Sequence, residues 1–318
     1  MAREVIGRFA PTPSGFLHLG NIFCSLLAWL FAKSQGGKII LRIEDLDTGR
    51  CSLAKADALA RDLEWLGLTW DEGAYKGRAH EKYFQSQRFT IYKKYFDALL
   101  HEELIYPCFC SRGELHAASA PHLSDGRVIY PGTCRNLTQE EHAEKIKFRK
   151  PSYRLKVRDK EISFLDGHYG RLSYNLLEES GDFILRRSDG VYAYQLAVVV
   201  DDALMQVNQV VRGADLLSST AMQLYLYELL GLEAPSFTHI PLLVAADGRR
   251  LAKRDGGMEI SVLREKLQAP EKIIGWLAYL AGQIAKYEPL KVEELLPIFD
   301  PQKIPHENII VPQELLNL

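Results

Sequence analysis

The sequence predicts an α/β fold built on a parallel β-sheet. An apolar strand at Val5–Phe9 runs into the turn PTPSG, and an apolar helix follows from Asn21 to about Lys33. The next strand, Lys38–Ile43, comes after two glycines that end the helix. Strand, loop, helix and strand in this order form a βαβ unit. Its two strands run parallel, and a ligand lies at their carboxyl ends.

Hydrophobic periodicity and turn residues predict the remaining elements. They are helices at Ala54–Leu66, Gln85–Glu103 and Thr138–Arg149, a hairpin formed by Tyr153–Val157 and Ile162–Leu165, and a second α/β stretch from Phe183 to Val244. Thr138 and Glu141 have the spacing of a capping box. After Gly257 the pattern is short and helical.

These elements suggest three regions. Residues 1–106 and 181–257 form one α/β domain, residues 107–180 form a module inserted into it, and residues 258–318 form a short helical region. The inserted module begins with an irregular segment, Pro107–Arg135, that contains cysteine, proline and glycine.

Composition places the chain among soluble globular proteins. Its 318 residues are 47% hydrophobic and 25% charged, which supplies enough apolar material for a packed core. The net charge of −2 excludes a polybasic partner strategy, although a local basic patch is sufficient to bind nucleic acid. The sequence has no export signal and no run of 18 apolar residues, so we expect a cytoplasmic protein that does not enter a membrane.

A first phosphate-binding signal lies between the first predicted strand and helix. His18, Gly20 and Asn21 stand at the start of the helix, where free backbone N–H groups and the helix dipole attract phosphate. The two commonest nucleotide fingerprints, G-x-G-x-x-G and the P-loop, are absent here. An equally good interpretation is that His18 and Asn21 only cap a core helix.

A second signal is the basic segment RLAKR at residues 250–254. Lys253 is a compact positive charge, suited to a phosphate that changes geometry during a reaction, and Arg250 and Arg254 flank it. On its own, such a segment is more often a solvated loop.

Three cysteines lie close together in the predicted module. Cys108, Cys110 and Cys134 in an irregular segment suggest a structural Zn²⁺ site, with free structural cysteines as the alternative. A tetrahedral site needs a fourth ligand, and chemistry alone favours a histidine. The candidates are His116, His122, Asp125 and Tyr130.

Taken together, the motifs resemble those of the class I aminoacyl-tRNA synthetases. HLGN within RFAPTPSGFLHLGN is similar to the HIGH motif, and RLAKR to a degenerate KMSKS motif in which Arg250 replaces a lysine and Ala252 a serine. RIEDLD at 42–47, VYAYQLAVVVDD at 191–202 and VVRGADLL at 210–217 resemble the glutamyl/glutaminyl branch. The resemblance implies a Rossmann-type catalytic domain that activates glutamate with ATP.

The same resemblance implies roles for individual residues. For catalysis they are His18 and Lys253; for ATP, used with Mg²⁺, they are His18, Gly20, Asn21, Arg250 and Lys253; for glutamate they are Arg8, Phe9, Ala10, Pro11, Thr12, Glu44, Tyr194 and Arg212. Among the glutamate residues, Arg8 and Arg212 meet the side-chain carboxylate, Tyr194 forms a hydrogen-bonding wall, and Glu44 meets the ammonium. Taken singly, an arginine or glutamate is more often part of an ion pair without a role in binding.

One subfamily fits best, that of the glutamyl-queuosine tRNA(Asp) synthetases. Its C-x-C…Y-x₃-C zinc pattern recurs as CFC…YPGTC, which implies Tyr130 as the fourth ligand. Only 65 residues follow Lys253, too few for both a stem-contact region and an anticodon-binding domain. The resemblance implies a monomer that activates L-glutamate without tRNA and transfers it to queuosine at the wobble position of tRNA(Asp).

Three alternatives remain open. They are a minimal conventional glutamyl-tRNA synthetase that charges the 3′ end of tRNA(Glu), a nucleotidyltransferase that acts on a small molecule, and a non-catalytic relic of a synthetase.

Overall fold

A computed structural model describes residues 3–77, 80–117, 129–249, 251 and 259–316. The strands are β1 (Ile6–Phe9), β2 (Lys38–Leu41), β3 (Glu72–Gly73), β4 (Ile105–Cys108), β5 (Ser152–Leu155), β6 (Glu161–Asp166), β7 (Gly170–Asn175), β8 (Ile184–Arg186), β9 (Gln209–Gly213), β10 (Ser236–Ile240), β11 (Leu243–Val244) and β12 (Ile309–Ile310).

The helices are α1 (Leu19–Lys33), α2 (Leu53–Trp65), α3 (Phe89–His101), α4 (Arg112–Ala117), α5 (Gln139–Ile146), α6 (Leu176–Glu179), α7 (Tyr194–Leu204), α8 (Leu217–Leu230), α9 (Ile260–Leu267), α10 (Pro270–Leu280), α11 (Val292–Leu295) and α12 (Gln313–Leu316). In the described part of the chain, none of them combines the length and the hydrophobicity needed to cross a membrane.

The predicted parallel sheet is confirmed. β1 pairs parallel with β2, and β2 pairs parallel with β3. β9 pairs parallel with β10 and lies beside β1, where the Asn208 N–H donates to the Ile6 carbonyl at 3.0 Å. The strand order is therefore β3-β2-β1-β9-β10: after β1 the chain continues to β2 on one side, and after β9 it continues to β10 on the other side. The order therefore reverses between β1 and β9, and ligands of α/β sheets bind at such a reversal.

The core of this domain follows from the pattern of α1. Most of its side chains are buried, so the helix is apolar nearly all round. It packs against β1, β2 and β9, and α10 from the C-terminal region covers it further. The region after residue 258 also supplies β12, which pairs parallel with β11, so it is not purely helical as predicted.

The predicted hairpin of Tyr153–Val157 with Ile162–Leu165 is wrong. β5 pairs antiparallel with β4 and β8, whereas β6 pairs antiparallel with β7. The turn that closes the true hairpin is formed by Asp166, whose carboxylate accepts from the His168 and Tyr169 N–H groups, each at 3.0 Å. The sequence signal for this turn is the pair Asp166–Gly167 in DGHYG (residues 166–170). An Asp side chain can accept hydrogen bonds from the backbone that follows it and so replace a backbone turn contact.

The helix predicted from Gln85 to Glu103 starts later than expected. A 3₁₀ turn occupies Gln85–Gln87, and α3 begins at Phe89. Gln85 and Arg88 both point inward to the same buried carboxylate, Asp201, and this contact accounts for the irregular start.

The boundaries of the inserted module stay a prediction. β4 and β8, which flank the predicted limits at 107 and 180, both pair with β5 in one antiparallel sheet. The β6–β7 hairpin packs against α8 and β10, so this segment touches the parallel half of the molecule.

Candidate functional site

A buried cluster of charged side chains, here called the cleft, lies at the carboxyl ends of the strands where the sheet order reverses. Arg8 comes from β1, Glu44 follows β2, and Arg212 comes from β9. Their exposed fractions are 7%, 8% and 3%. The fold therefore brings together three of the predicted glutamate residues.

Asp202, at the end of α7, connects the first two strands. Its carboxylate lies 3.2 Å from the Arg8 Nε and 2.5 Å from the Arg42 Nη1. The Nη2 of Arg42 donates to the Glu44 Oε1 at 3.0 Å. Among the described residues, only the Nε of Arg8 is engaged, which leaves its two Nη groups available to a ligand.

The neighbouring carboxylate, Asp201, connects α7 to α3 and to the 3₁₀ turn before it. It accepts from the Arg88 Nε at 2.6 Å, the Gln85 Nε2 at 2.8 Å and the Tyr92 hydroxyl at 2.8 Å. Removing one member of a buried ion pair typically costs about 3–5 kcal/mol, so the cluster is rigidly specified.

The cluster contains charges of both signs. Its guanidiniums belong to Arg8, Arg42, Arg88 and Arg212, and its carboxylates to Glu44, Asp201 and Asp202, with Asp166 behind them at His239. The cleft therefore suits a ligand that also carries charges of both signs. Glutamate, with two carboxylates and one ammonium, is such a ligand at neutral pH.

Burial sets the protonation of the carboxylates. Burial raises the pKa of Glu44 above its ordinary value, and the guanidiniums of Arg42 and Arg8 oppose this only in part. For Asp202, burial acts in the same direction, but Arg42 and Arg8 together hold its pKa below the ordinary value. Asp202 is thus the permanent counter-ion, whereas Glu44 gains from a cationic ligand.

Arg212 is held by polar groups on several sides. Its Nη2 donates to the Thr220 Oγ1 at 2.7 Å, its Nε to the His239 Nε2 at 3.1 Å, and its Nη1 to the Tyr194 hydroxyl at 3.4 Å. Tyr194 is half-buried at the start of α7. Its hydroxyl lies at the guanidinium of Arg212, as expected if both side chains contact the same substrate carboxylate.

The backbone of residues 9–12 shapes the edge of the cleft. The Arg42 N–H donates to the Phe9 carbonyl at 2.8 Å, and the Glu44 N–H donates to the Pro11 carbonyl at 3.0 Å. Phe9 is buried and Thr12 is exposed, with Ala10 and Pro11 between these extremes. This loop continues the strand pairing and thereby fixes where the Glu44 carboxylate lies.

At the phosphate-binding signal, His18 is the N-cap of α1. Its Nδ1 accepts from the Asn21 N–H at 3.4 Å, and the Asn21 Oδ1 accepts from the His18 N–H at 3.2 Å. Both residues are exposed. A Cβ at Gly20 would lie 3.3 Å from the His18 ring, so a side chain there would crowd the imidazole. His18 and Asn21 do cap α1, and their phosphate-binding role stays a prediction that the exposed helix terminus suits.

The chain returns to His18 after the basic segment. Glu259 forms an antiparallel bridge with His18, and the Ile260 N–H donates to the Leu17 carbonyl at 2.8 Å. Residues Arg250 and Lys253 lie outside the described residues, so their roles stay predictions.

The three predicted cysteine ligands do meet. The Sγ atoms of Cys108, Cys110 and Cys134 all lie within 4.8 Å of one another, and those of Cys110 and Cys134 are 3.7 Å apart. A tetrahedral zinc ion with Zn–S distances of about 2.3 Å separates its sulfurs by roughly 3.8 Å. The cluster can therefore hold a metal ion.

Tyr130 occupies the fourth corner of this cluster. Its hydroxyl lies 3.3 Å from the Cys108 Sγ and 3.8 Å from the Cys110 Sγ, and it accepts from the Cys134 N–H at 2.8 Å. The guanidinium of Arg154 stacks on the Tyr130 ring at 3.8 Å. The side chain is thus placed to join the cysteines around a metal.

Several residues of the cleft were missed at the level of sequence. Arg42 belongs to the motif RIEDLD, and Asp201 and Asp202 end the motif VYAYQLAVVVDD. Nothing in those motifs shows which of their charged side chains is buried. The signal that could have found them is an acidic pair directly after an apolar run, since such carboxylates need buried partners.

Comparison with known proteins decides the family. The model of the class I tRNA synthetases (E and Q), catalytic domain, matches residues 4–317. The chain belongs to this family. Its Rossmann-type catalytic domain, predicted from the βαβ unit and the motifs, is thereby confirmed.

Individual relatives of this synthetase fall into two groups. Proteins named Glutamyl-Q tRNA(Asp) synthetase from Symbiobacterium thermophilum and Nitratidesulfovibrio vulgaris are 49% and 46% identical, and each match covers 98% of this chain and 97% of the relative. A glutamate–tRNA ligase from Sulfurihydrogenibium is 38% identical, with 98% of this chain and 68% of the relative covered.

A solved structure of the same family has the same fold. The crystal structure of a glutamate tRNA ligase from Elizabethkingia meningosepticum, in complex with its amino acid, superposes with a TM-score of 0.83 at 30% identity. The match covers 99% of this synthetase and 68% of that chain.

Proposed function

We propose that this chain activates L-glutamate with ATP, independently of tRNA, and transfers the glutamyl group to queuosine at the wobble position of tRNA(Asp). The observation that carries the proposal is the match to proteins named Glutamyl-Q tRNA(Asp) synthetase over 97% of their length. We expect the enzyme to act as a cytoplasmic monomer.

The cleft supports glutamate as the amino acid. The Nη groups of Arg8, which have no hydrogen-bond partner among the described residues, and the Nη1 edge of Arg212 offer donors to the side-chain carboxylate. A guanidinium binds a carboxylate more strongly than a neutral amide. Glu44 offers a carboxylate to the ammonium. These guanidinium donors then select glutamate over glutamine.

Activation itself needs alignment and charge stabilisation. The glutamate α-carboxylate is already ionised near neutral pH, and it attacks the α-phosphorus of ATP and displaces pyrophosphate. In the proposal, His18, Gly20 and Asn21 hold phosphate oxygens at the start of α1. Arg250 and Lys253 neutralise charge that develops in the transition state, with Mg²⁺ bound to the ATP.

We also propose that the cysteine cluster binds one structural Zn²⁺ through Cys108, Cys110, Cys134 and Tyr130. The mutual distances of these four side chains support it. A zinc ion there would fix the end of β4 to the segment around residue 130.

Lys253→Ala is expected to lower the rate constant of glutamate-dependent ATP–pyrophosphate exchange by about 100-fold while changing the Kd for glutamate less than about threefold. The reason is that the positive charge of Lys253 stabilises the departing pyrophosphate in the transition state and does not contact the amino acid. Lys266→Ala, on an exposed position of α9, is the matched control and should behave as the wild type. Equal losses in rate and in glutamate affinity would contradict the assigned role.

The acceptor is tested with labelled glutamate, ATP and separate tRNA pools. We expect label on tRNA(Asp) that contains queuosine and none on tRNA(Asp) without it. The label should be lost under mild base, and nuclease cleavage of the labelled tRNA should leave it on the anticodon fragment and not on the 3′-terminal fragment. Label on the 3′ end of tRNA(Glu) would make the chain a minimal conventional synthetase. Pyrophosphate exchange without any labelled RNA would indicate a small-molecule acceptor, and no exchange at all would indicate a non-catalytic relic.

A further inference from the structure

Behind the cleft, a buried carboxylate–imidazole pair contacts Arg212. The Asp166 Oδ2 lies 2.6 Å from the His239 Nδ1, and the His239 Nε2 lies 3.1 Å from the Arg212 Nε. The exposed fractions of the three residues are 2%, 0% and 3%. Solvent therefore does not replace any of these contacts.

The partners determine the tautomer of the imidazole. A carboxylate only accepts hydrogen bonds and a guanidinium only donates them. The Thr220 Oγ1, 3.0 Å from Nε2, can either donate or accept and so does not fix the tautomer, whereas Asp166 and Arg212 do. With these two partners, His239 carries its proton on Nδ1 and presents the lone pair of Nε2 to Arg212. Burial lowers the pKa of His239, with the positive charge of Arg212 acting in the same direction, which agrees with a neutral ring.

Asp166 belongs to the β6–β7 hairpin, in the segment predicted as an inserted module. Its carboxylate also accepts from the backbone N–H of His239, at 3.1 Å, so it binds both the ring and the main chain of β10. The next residue, Gly167, donates its N–H to the Phe237 carbonyl at 2.9 Å. A Cβ at Gly167 would lie 2.2 Å from the Thr238 Oγ1, so the turn packs directly against a side chain of β10.

The remaining contacts of Arg212 leave one end of the guanidinium for a ligand. Nε and Nη2 are taken up by His239 and Thr220, whereas Nη1 makes only a long contact of 3.4 Å to Tyr194 within the described residues. The imidazole therefore determines which edge of the guanidinium faces the cleft.

We propose that Asp166 and His239 form a positioning dyad that orients Arg212 towards the side-chain carboxylate of glutamate. Through this dyad the β6–β7 hairpin determines affinity for the amino acid. The inference rests on the proposed function, because it assigns the dyad to the same glutamate site. His239 does not contact the substrate; it acts through Arg212.

Two substitutions at one position separate the two contacts of the ring. His239→Gln can place an oxygen near the Nε2 position and keep an acceptor for Arg212, whereas His239→Asn keeps only a donor to Asp166. We expect H239N to raise the KM for glutamate about tenfold, the usual effect of leaving a buried donor unpaired, with kcat and the KM for ATP within about twofold. H239Q should stay within about threefold of the wild-type KM.

The tautomer provides a readout that needs no variant. In ¹⁵N spectra of histidine-labelled wild-type enzyme, His239 is expected as the Nδ1–H form. Asp166→Asn, whose amide donates to Nδ1, should shift the proton to Nε2 and raise the KM for glutamate as H239N does. A wild-type Nε2–H form would overturn the inference even if every variant failed to fold.

The wild-type activity separates a failure of this inference from a failure of the proposed function. If the wild type shows no glutamate-dependent pyrophosphate exchange, the proposed function fails. If the wild type is active and H239N has the same KM for glutamate as H239Q, only the dyad is refuted.

Discussion

Glu44→Gln is expected to lower glutamate-dependent pyrophosphate exchange by about 100-fold or more, a loss typical of a buried charge pair deprived of one partner. Glu44 is the carboxylate of the cleft that would bind the substrate ammonium. Its partner, Arg42, also pairs with Asp202, so Arg42 keeps a counter-ion when Glu44 is replaced. The measurement is exchange as a function of glutamate concentration. Glu265→Gln, on an exposed position of α9, is the control for removal of one carboxylate.

The same substitution is expected to leave the free protein folded. Burial raises the pKa of Glu44 in the folded state above its unfolded value, so its contribution to stability is present at low pH and is lost as pH rises through the folded-state pKa. At neutral pH, E44Q should therefore unfold within about 2 °C of the wild-type Tm or above it. An E44Q variant that unfolds well below the wild-type Tm would contradict this stability prediction.

The raised pKa of Glu44 also implies a pH dependence of the wild type. Only the ionised carboxylate attracts an ammonium, so kcat/KM for glutamate should fall as pH decreases through the pKa of Glu44. The acid limb should be absent from the residual activity of E44Q. If E44Q keeps an activity within about threefold of the wild type, the assignment of Glu44 is wrong.

Removal of the metal should have the second large effect. We expect one zinc ion per chain by elemental analysis, and loss of that zinc in Cys110→Ser or after treatment with a strong chelator. The Tm should fall by roughly 5 °C or more, because a ligand that binds only the folded state stabilises it. Cys51→Ser, half-buried and outside the cluster, is the matched control and should retain zinc. Full zinc content in C110S would exclude the cluster as the site.

Tyr130→Phe tests the fourth ligand separately. This variant keeps the ring against Arg154 but lacks the hydroxyl that lies near Cys108 and Cys110. Zinc affinity is expected to fall about 10–100-fold, as for loss of a supporting group at other metal sites. Unchanged affinity in Y130F, with loss of zinc in His116→Ala or His122→Ala, would transfer the role to a histidine.

The sequence alone determined the first βαβ unit, the order of the motifs and the clustering of Cys108, Cys110 and Cys134. These features are local: an apolar run between a turn and two glycines produces α1, and C-x-C places two thiols on adjacent loop positions. The family resemblance then placed Arg8, Glu44, Tyr194 and Arg212 in one site, and the fold brings them to the carboxyl ends of neighbouring strands.

Only the tertiary structure decided which charges hold that site. Arg8 and Asp202 are 194 positions apart, and no periodicity links them; they meet because the fold brings the end of α7 to the carboxyl end of β1. The true partner of β6 and the contact of Asp166 with His239 depend likewise on the packing of the hairpin against β10. A buried charge must find its partner wherever the fold provides one, so the partner is fixed by long-range packing and not by local sequence.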